Sequence, residues 1–167
     1  MREMRRKDRA MPEEDIAGLL DRGEYGFMAT VGAEGLPYGV PLSYVWLDGR
    51  VYIHCAREGR KVDNFRACPA ATFTVVGETS PVYARNFTTW YECAMVEGTV
   101  EEVADPDEKF RVLYALAGKY LPEHLDKAEG DIGKSFKRTA VYRLTPQSVT
   151  GKAKRPKPDG GTGDATA

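Results

Sequence analysis

The Asp48-Gly49 dipeptide lies between two stretches rich in aromatic and β-branched residues, and it constrains the fold more than any other feature of this sequence. Both residues tolerate the left-handed backbone that a two-residue β-hairpin turn requires. The dipeptide therefore predicts that residues 38–47 and 50–55 form antiparallel neighbouring strands.

Six short strands and few helices are predicted along the chain, which favours a mainly antiparallel barrel or sandwich over a doubly wound α/β fold. The predicted strands cover residues 25–31, 38–47, 50–55, 71–76, 90–103 and 139–144. The predicted helices cover residues 12–22, residues 59–67 and a segment capped by Asp105, with Phe110, Leu113, Tyr114 and Ala117 on its buried side. Residues 77–88 are rich in turn-forming residues and predict an irregular connection. Gly98 predicts a bulge or bend within the fifth strand.

Length and charge predict one domain without a nucleic-acid partner. The 167 residues suit a single domain over 1–150. Residues 151–167 have little apolar content and predict a disordered tail. The 24 lysines and arginines nearly balance 25 acidic residues, whereas a nucleic-acid-binding domain normally carries a basic excess.

The cysteines and the N-terminal composition predict a cytoplasmic protein without membrane association. Cys55, Cys68 and Cys93 form no close pair, which suits a reducing compartment rather than a disulfide framework. The charged stretch 1–9 lacks the apolar run of a signal peptide. No apolar stretch approaches the roughly 20 residues that span a bilayer.

Motifs for catalysis are sparse in this sequence. His54 and His124 are its only histidines, so we expect no histidine-rich metal site. No GxSxG elbow, Walker A loop or CxxC pair occurs. Three interpretations remain open from these residues: chemistry borrowed from a bound cofactor, a very sparse active site, or no catalysis.

A cationic turn follows the third predicted strand. Arg57, Arg60 and Lys61 come within one short span there. Cations beside the free amides of a helix start suit a phosphate group. The alternative is a solvated basic turn whose charges pair with Glu58 and Asp63.

Several segments, in their shared order, resemble the flavin-binding split-barrel superfamily that includes the pyridoxamine-phosphate oxidases. These segments are Ala29-Thr30-Val31, residues 35–44, residues 51–56, Gly59-Arg60-Lys61 and Asn64. A strand that ends in His-Cys-Ala shortly before Glu-Gly-Arg-Lys is most similar to the nitroimidazole-resistance proteins. The resemblance implies a six-stranded antiparallel split β-barrel with a few flanking helices.

The resemblance further implies an FMN cofactor, or FAD as in some relatives, at the two-fold interface of a homodimer. The cationic turn would neutralise the cofactor phosphate, residues 41–44 would follow the isoalloxazine edge, and residues 90–95 of the other subunit would close the pocket. The implied cofactor contacts are Pro41, Leu42, Ser43, Tyr44, His54, Ala56, Arg57, Arg60, Lys61, Asn64, Trp90, Tyr91, Cys93 and Met95. The chain departs from its relatives at Cys93, where they commonly carry serine, a better hydrogen-bond donor.

His54 is the catalytic residue that the resemblance implies. A histidine beside a reduced flavin can orient an electrophile or donate a proton, since imidazole titrates near neutrality. The alternative is a histidine that only packs at the strand end. The leading hypothesis is therefore a flavin-dependent oxidoreductase that reduces a nitroaromatic or similar small electrophile. A non-catalytic flavin carrier or sensor and a haem-handling protein are the alternatives.

Overall fold

Antiparallel strands form the framework of the computed structural model, which describes residues 3–83 and 87–156. The strands are β1 (Gly26–Val31), β2 (Pro37–Leu42), β3 (Val45–Leu47), β4 (Arg50–Ala56), β5 (Ala70–Tyr83), β6 (Phe87–Glu102) and β7 (Thr139–Lys154). The helices are α1 (Glu13–Arg22), α2 (Arg60–Ala67), α3 (Pro106–Tyr120) and α4 (Leu125–Ser135), with short 3-10 turns at Lys7–Arg9 and Pro122–His124. The described strands form one antiparallel sheet in the order β2-β1-β5-β6-β7-β4-β3. This mainly β split barrel confirms the predicted fold class.

The hairpin turn at Asp48 and Gly49 is confirmed. Both residues have a left-handed backbone, with φ angles of 51° and 71°, as a two-residue turn of this kind requires. β3 and β4 pair in antiparallel fashion on either side of the turn. The turn therefore sets the register that delivers the end of β4 to the candidate site.

The prediction of six strands is wrong, because the predicted second strand is divided and the described sheet contains seven. β2 ends at Leu42 and β3 begins at Val45, with Ser43 and Tyr44 between them. β2 pairs with β1 and β3 pairs with β4, at opposite ends of the strand order. Hydropathy along a continuous apolar stretch does not reveal this change of partner.

The prediction of an irregular connection over residues 77–88 is also wrong for the part that the structure describes. β5 continues to Tyr83 and pairs with β6 down to Phe87, after a register shift between Val76 and Thr79; residues 84–86 lie outside the described residues. β1 pairs with β5 only as far as Val75, so the far half of β5 has a free edge. Pro81 is tolerated there because proline is compatible with an edge strand.

The last strand runs past its predicted end. The sequence predicts a stop before Pro146 and a tail from residue 151, whereas β7 continues to Lys154 and pairs with β6 throughout. Pro146 lies opposite Gly98, at a register shift that confirms the predicted irregularity there. The prediction of disorder is therefore wrong for residues 151–154, and residues 157–167 lie outside the described part of the chain.

Two hydrophobic cores lie on opposite faces of the sheet. The barrel core includes α1 and α2, and the second core lies where α3 and α4 pack on β4 and β7. α3 buries Lys109, Val112, Leu113 and Leu116, so the predicted buried stripe is wrong at Phe110, which is exposed. α4 is not predictable from the sequence pattern, because its two glycines lower helix propensity. None of the described helices is long and apolar enough to cross a membrane.

Gly98→Ala should lower the free energy of unfolding by about 1–3 kcal/mol, the usual cost of overpacking. A methyl group on Gly98 would lie 2.1 Å from the backbone oxygen of Thr145, so the two strands would have to separate. Urea denaturation measures the change. Gly39→Ala is the matched control, because its methyl group would meet nothing within 4 Å. Equal losses in the two variants would contradict this explanation.

Candidate functional site

His54 lies near the end of β4, on the face of the sheet that α3 and α4 cover. Strand alternation places Tyr52 and His54 on one face and Ile53 on the other. Tyr52 packs in the core beneath α3 and α4, whereas Ile53 lies in the barrel core. His54 pairs with Val141 of β7, and its side chain is accessible.

A cavity of about 790 Å³ separates His54 from the helical hairpin formed by α3 and α4. Its lining includes apolar side chains from both helices, and His54 and Ser43 contribute from the sheet. His124 and Lys127, which precede and begin α4, also line it. Both histidines of the chain therefore meet the same cavity, within the size range of small-molecule sites.

The electrostatic surroundings of His54 favour a neutral imidazole. Partial burial lowers its pKa, and the charge of Lys61 lowers it further. The cationic turn follows His54 along the chain, since β4 ends at Ala56 and α2 begins at Arg60. Burial also raises the pKa of the Cys55 and Cys93 thiols, so neither is activated as a nucleophile.

The cationic turn has the geometry of an anion site. Gly59 precedes α2 with a φ of 124°, and no side chain caps the helix start. A side chain at Gly59 would be strained, and the space around its Cα is open. The guanidinium of Arg60 stacks over the Tyr38 ring at 4.6 Å, and Lys61 follows it in the first turn of α2. Free helix amides beside two cations suit a phosphate group.

The structure does not support the alternative in which Glu58 and Asp63 neutralise this turn. Asp63 pairs instead with Arg66, at 3.4 Å. Arg57 lies 3.6 Å from Glu102, a long ion pair on the surface. Among residues 3–83 and 87–156, Arg60 and Lys61 form no ion pair within 4 Å.

Asn64 and Tyr44 are turned away from an open site. The Asn64 side chain is buried and donates to the Thr30 hydroxyl at 2.8 Å, which ties α2 to β1. The Tyr44 side chain is fully buried, and its hydroxyl donates to the backbone oxygen of Leu20 at 2.6 Å. The predicted cofactor contacts of these two side chains stay predictions, and their visible role is to position the elements around the site.

Tyr120, which the sequence analysis missed, holds the chain between β2 and β3. Its hydroxyl accepts from the Tyr44 amide at 2.9 Å and lies 2.6 Å from the backbone oxygen of Glu24, to which it donates. Ser43, the adjacent residue, is thereby fixed in the cavity wall. No sequence signal marks this role, because it depends on where the end of α3 packs.

The predicted contacts on β6 do not all share one face. Alternation places Tyr91, Cys93 and Met95 together and Trp90 on the opposite face. Trp90 lies beneath the Lys154 ammonium, 5.6 Å from the ring centroid. Met95 is exposed, and Cys93 and Tyr91 are half-buried. Three of the four predicted residues therefore form one candidate contact surface.

This β6 surface is remote from His54 within one chain. Met95 pairs with Thr150 of β7, whereas His54 pairs with Val141 of the same strand. The segment of β7 between these two pairings spans about 30 Å when extended. A flavin ring could not contact both sets of residues in a single subunit.

The strand order, with α1 and α2 in the barrel core and α3 and α4 on the opposite face of the sheet, defines a split barrel. The family model described as pyridoxamine 5'-phosphate oxidase matches residues 12–153, so the chain belongs to this family. The predicted family resemblance is thus confirmed. No curated protein sequence matches the chain.

Three solved structures share this fold with the chain. A candidate 5-nitroimidazole antibiotic resistance protein from Bacteroides thetaiotaomicron is 21% identical over 86% of each chain, with a TM-score of 0.73. A conserved hypothetical protein from Mycobacterium tuberculosis is 20% identical over 90% of each chain, with a TM-score of 0.78. A flavocytochrome from Azotobacter vinelandii is 21% identical over 92% of this chain and 72% of its own, with a TM-score of 0.77. At these identities the similarity establishes the fold.

Lys61→Gln should raise the pKa of His54, because loss of the adjacent positive charge makes protonation of the imidazole less costly. NMR titration of the His54 ring in flavin-free protein measures the change. Arg66→Gln is the matched control, since it removes a charge from the same helix at a residue that pairs with Asp63. An unchanged or lower His54 pKa in Lys61→Gln would show that the two groups do not interact.

Proposed function

We propose that this protein is a flavin-dependent oxidoreductase that reduces a nitroaromatic or similar small electrophile. The observation that carries the proposal is the position of His54: it lies in the wall of an apolar cavity, and the cationic turn follows it along the chain between the end of β4 and the start of α2. Membership of the pyridoxamine 5'-phosphate oxidase family supports redox chemistry. The shared fold with a flavocytochrome supports a flavin as its carrier.

The residues of the chain fit FMN, and FAD is the alternative. Arg57, Arg60 and Lys61 would meet the phosphate together with the open amides at the start of α2. Pro41 and Leu42 would offer an apolar edge to the ring. Bound flavin supplies two-electron redox chemistry, and the protein supplies binding, orientation and exclusion of water.

His54 would act on the substrate rather than on the phosphate. Its accessible imidazole faces the cavity, and its lowered pKa favours the neutral form. A neutral imidazole can donate a hydrogen bond from one ring nitrogen to a nitro or carbonyl oxygen. It would thereby orient the electrophile and hold a proton at the atom where negative charge develops.

We further propose that the functional unit is a homodimer. A second subunit would bring the β6 surface of Tyr91, Cys93 and Met95 to the His54 region, which one chain cannot do. Exposed apolar residues support an interface on this face. The side chains of Phe27 and Met95 are 55% and 37% exposed. Both residues pair with Thr74, from neighbouring strands on its two sides. Contiguous exposed apolar surface is uncommon outside binding sites. A flavin-loaded monomer in sedimentation analysis would contradict this arrangement.

Haem binding is the second candidate, and the position of the two histidines favours it. His54 and His124 line one apolar cavity, and histidine is a common axial ligand of haem iron. A Soret band in the purified protein that is lost in His54→Gln or His124→Gln would favour haem over flavin at this cavity.

Replacing both Arg60 and Lys61 with Ala should weaken FMN binding by at least about tenfold and leave riboflavin binding nearly unchanged, because only FMN carries the phosphate. Quenching of flavin fluorescence measures both affinities. Arg66→Ala serves as the control on the same helix, since Arg66 pairs with Asp63. Equal loss of FMN and riboflavin affinity would show that the cationic turn does not hold a phosphate.

His54→Gln should retain FMN but reduce turnover of a nitroaromatic acceptor about a hundredfold, the usual scale for loss of a positioned acid or base. Oxidation of reduced nicotinamide under steady-state conditions measures turnover. Unchanged turnover in the variant would remove His54 from the mechanism. A flavin-loaded wild-type protein that reduces no small acceptor would favour the carrier or sensor alternative.

A further inference from the structure

The cavity beside His54 has an apolar wall that suits a flat organic molecule. Leu113 and Leu116 of α3 face Ile132 of α4 across it. These side chains belong to the second hydrophobic core, so the wall is part of the folded framework. A volume of about 790 Å³ accommodates a substituted aromatic ring with room to spare.

Most oxygen atoms in the cavity wall are already hydrogen-bonded within the chain. The Ser135 hydroxyl donates to the backbone oxygen of Asp131 at 3.0 Å. The Thr139 hydroxyl donates to the backbone oxygen of Ser135, also at 3.0 Å. The Asp131 carboxylate accepts from Lys134 at 2.7 Å. The Tyr120 hydroxyl accepts from the Tyr44 amide and donates to the backbone oxygen of Glu24. The hydroxyl hydrogens of these groups are therefore not available to donate to a ligand.

An ammonium group and two imidazole rings in the same wall have no hydrogen-bond partner among the described residues. Lys127 is one helical turn before Asp131, but that carboxylate is paired with Lys134 instead. Within the described ranges the ammonium of Lys127 makes no hydrogen bond or ion pair, and the ring nitrogens of His54 and His124 make no hydrogen bond. The cavity therefore presents potential hydrogen-bond donors that no described protein group engages, and Lys127 and His124 are exposed and so accessible to a ligand.

We infer that this cavity binds a small aromatic or unsaturated monocarboxylate, with its apolar body against α3 and α4 and its carboxylate on Lys127 and His124. Identifying this molecule as the substrate rests on the proposed function, because His54 lies in the same wall. One ammonium beside an apolar wall matches one negative charge. Lys127 supplies the single ammonium of the described lining, so the second negative charge of a phosphate dianion would meet no cation there, which disfavours that ligand.

A matched pair of probes tests the inference on the full-length protein. 4-Nitrobenzoate and 4-nitrobenzamide have nearly the same shape, and only the first is charged. Isothermal titration calorimetry should show about tenfold tighter binding of the carboxylate, the scale of a charge-assisted hydrogen bond. Added salt should weaken binding of the carboxylate more than binding of the amide.

Variants of Lys127 identify the group responsible. Lys127→Gln should abolish most of the preference for 4-nitrobenzoate, and Lys127→Arg should keep it. Lys7→Gln is the control, because it removes the same charge from a residue outside the cavity wall. Equal binding of the two probes to the wild type, or an unchanged preference in Lys127→Gln, would overturn the inference.

The same titrations separate this inference from the proposed flavin function. They are run on protein before and after incubation with FMN, and flavin absorbance reports loading. Selective, Lys127-dependent binding of the carboxylate by a protein that takes up no flavin would support the anion site and contradict the flavin function. Flavin uptake without any preference between the probes would support the flavin function and overturn the anion site.

Discussion

The two-sided burial of β4 is the constraint on which the rest of the structure depends. Its side chains point alternately to the two faces of the sheet. Ile53 packs in the barrel core, and Tyr52 packs beneath α3 and α4. A shift of one residue would exchange the two sets and bury His54 in the barrel. The Asp48-Gly49 turn sets this register from one end, and pairing with β7 secures it along the strand. The position of the candidate site is thus a consequence of strand register.

Buried polar contacts fix the helical hairpin that forms the other wall of the site. The ammonium of Lys109 on α3 donates to the backbone oxygen of Phe136 at 2.7 Å, at the C-terminal end of α4, where a positive charge also meets the helix dipole. Burial lowers the pKa of Lys109, so this contact has a desolvation cost. Arg143 of β7 donates two hydrogen bonds to Glu108, which also accepts from the Tyr52 hydroxyl. α3 is thus joined to the sheet through Glu108 at its start and through Tyr120 at its end, and to the end of α4 through Lys109.

Local chemistry explains which parts of this structure were predictable. The hairpin turn and the irregularity at Gly98 follow from backbone preferences of the residues themselves, and the cationic turn follows from residues close in sequence. The extension of β5 beyond its predicted end, through Pro81, is not predictable from the sequence because its pairing depends on a distant partner with a free edge beside it. The burial of Tyr44 and the place of Lys127 in the cavity wall depend on how α1, α3 and α4 pack. Such long-range choices leave no periodic signal in the sequence.

The strand order has a consequence for how the polypeptide reaches this state. β7 lies between β6 and β4, although it is the last of the described strands along the sequence. Until it emerges, the β3–β4 hairpin has no partner in the sheet formed by β2, β1, β5 and β6. The segment before α1 also pairs only once β7 is present, because the Met11 amide donates to the backbone oxygen of Gly151 at 3.0 Å. These pairings therefore form only after β7 has been synthesised, and such non-local pairing is typical of slow-folding β proteins.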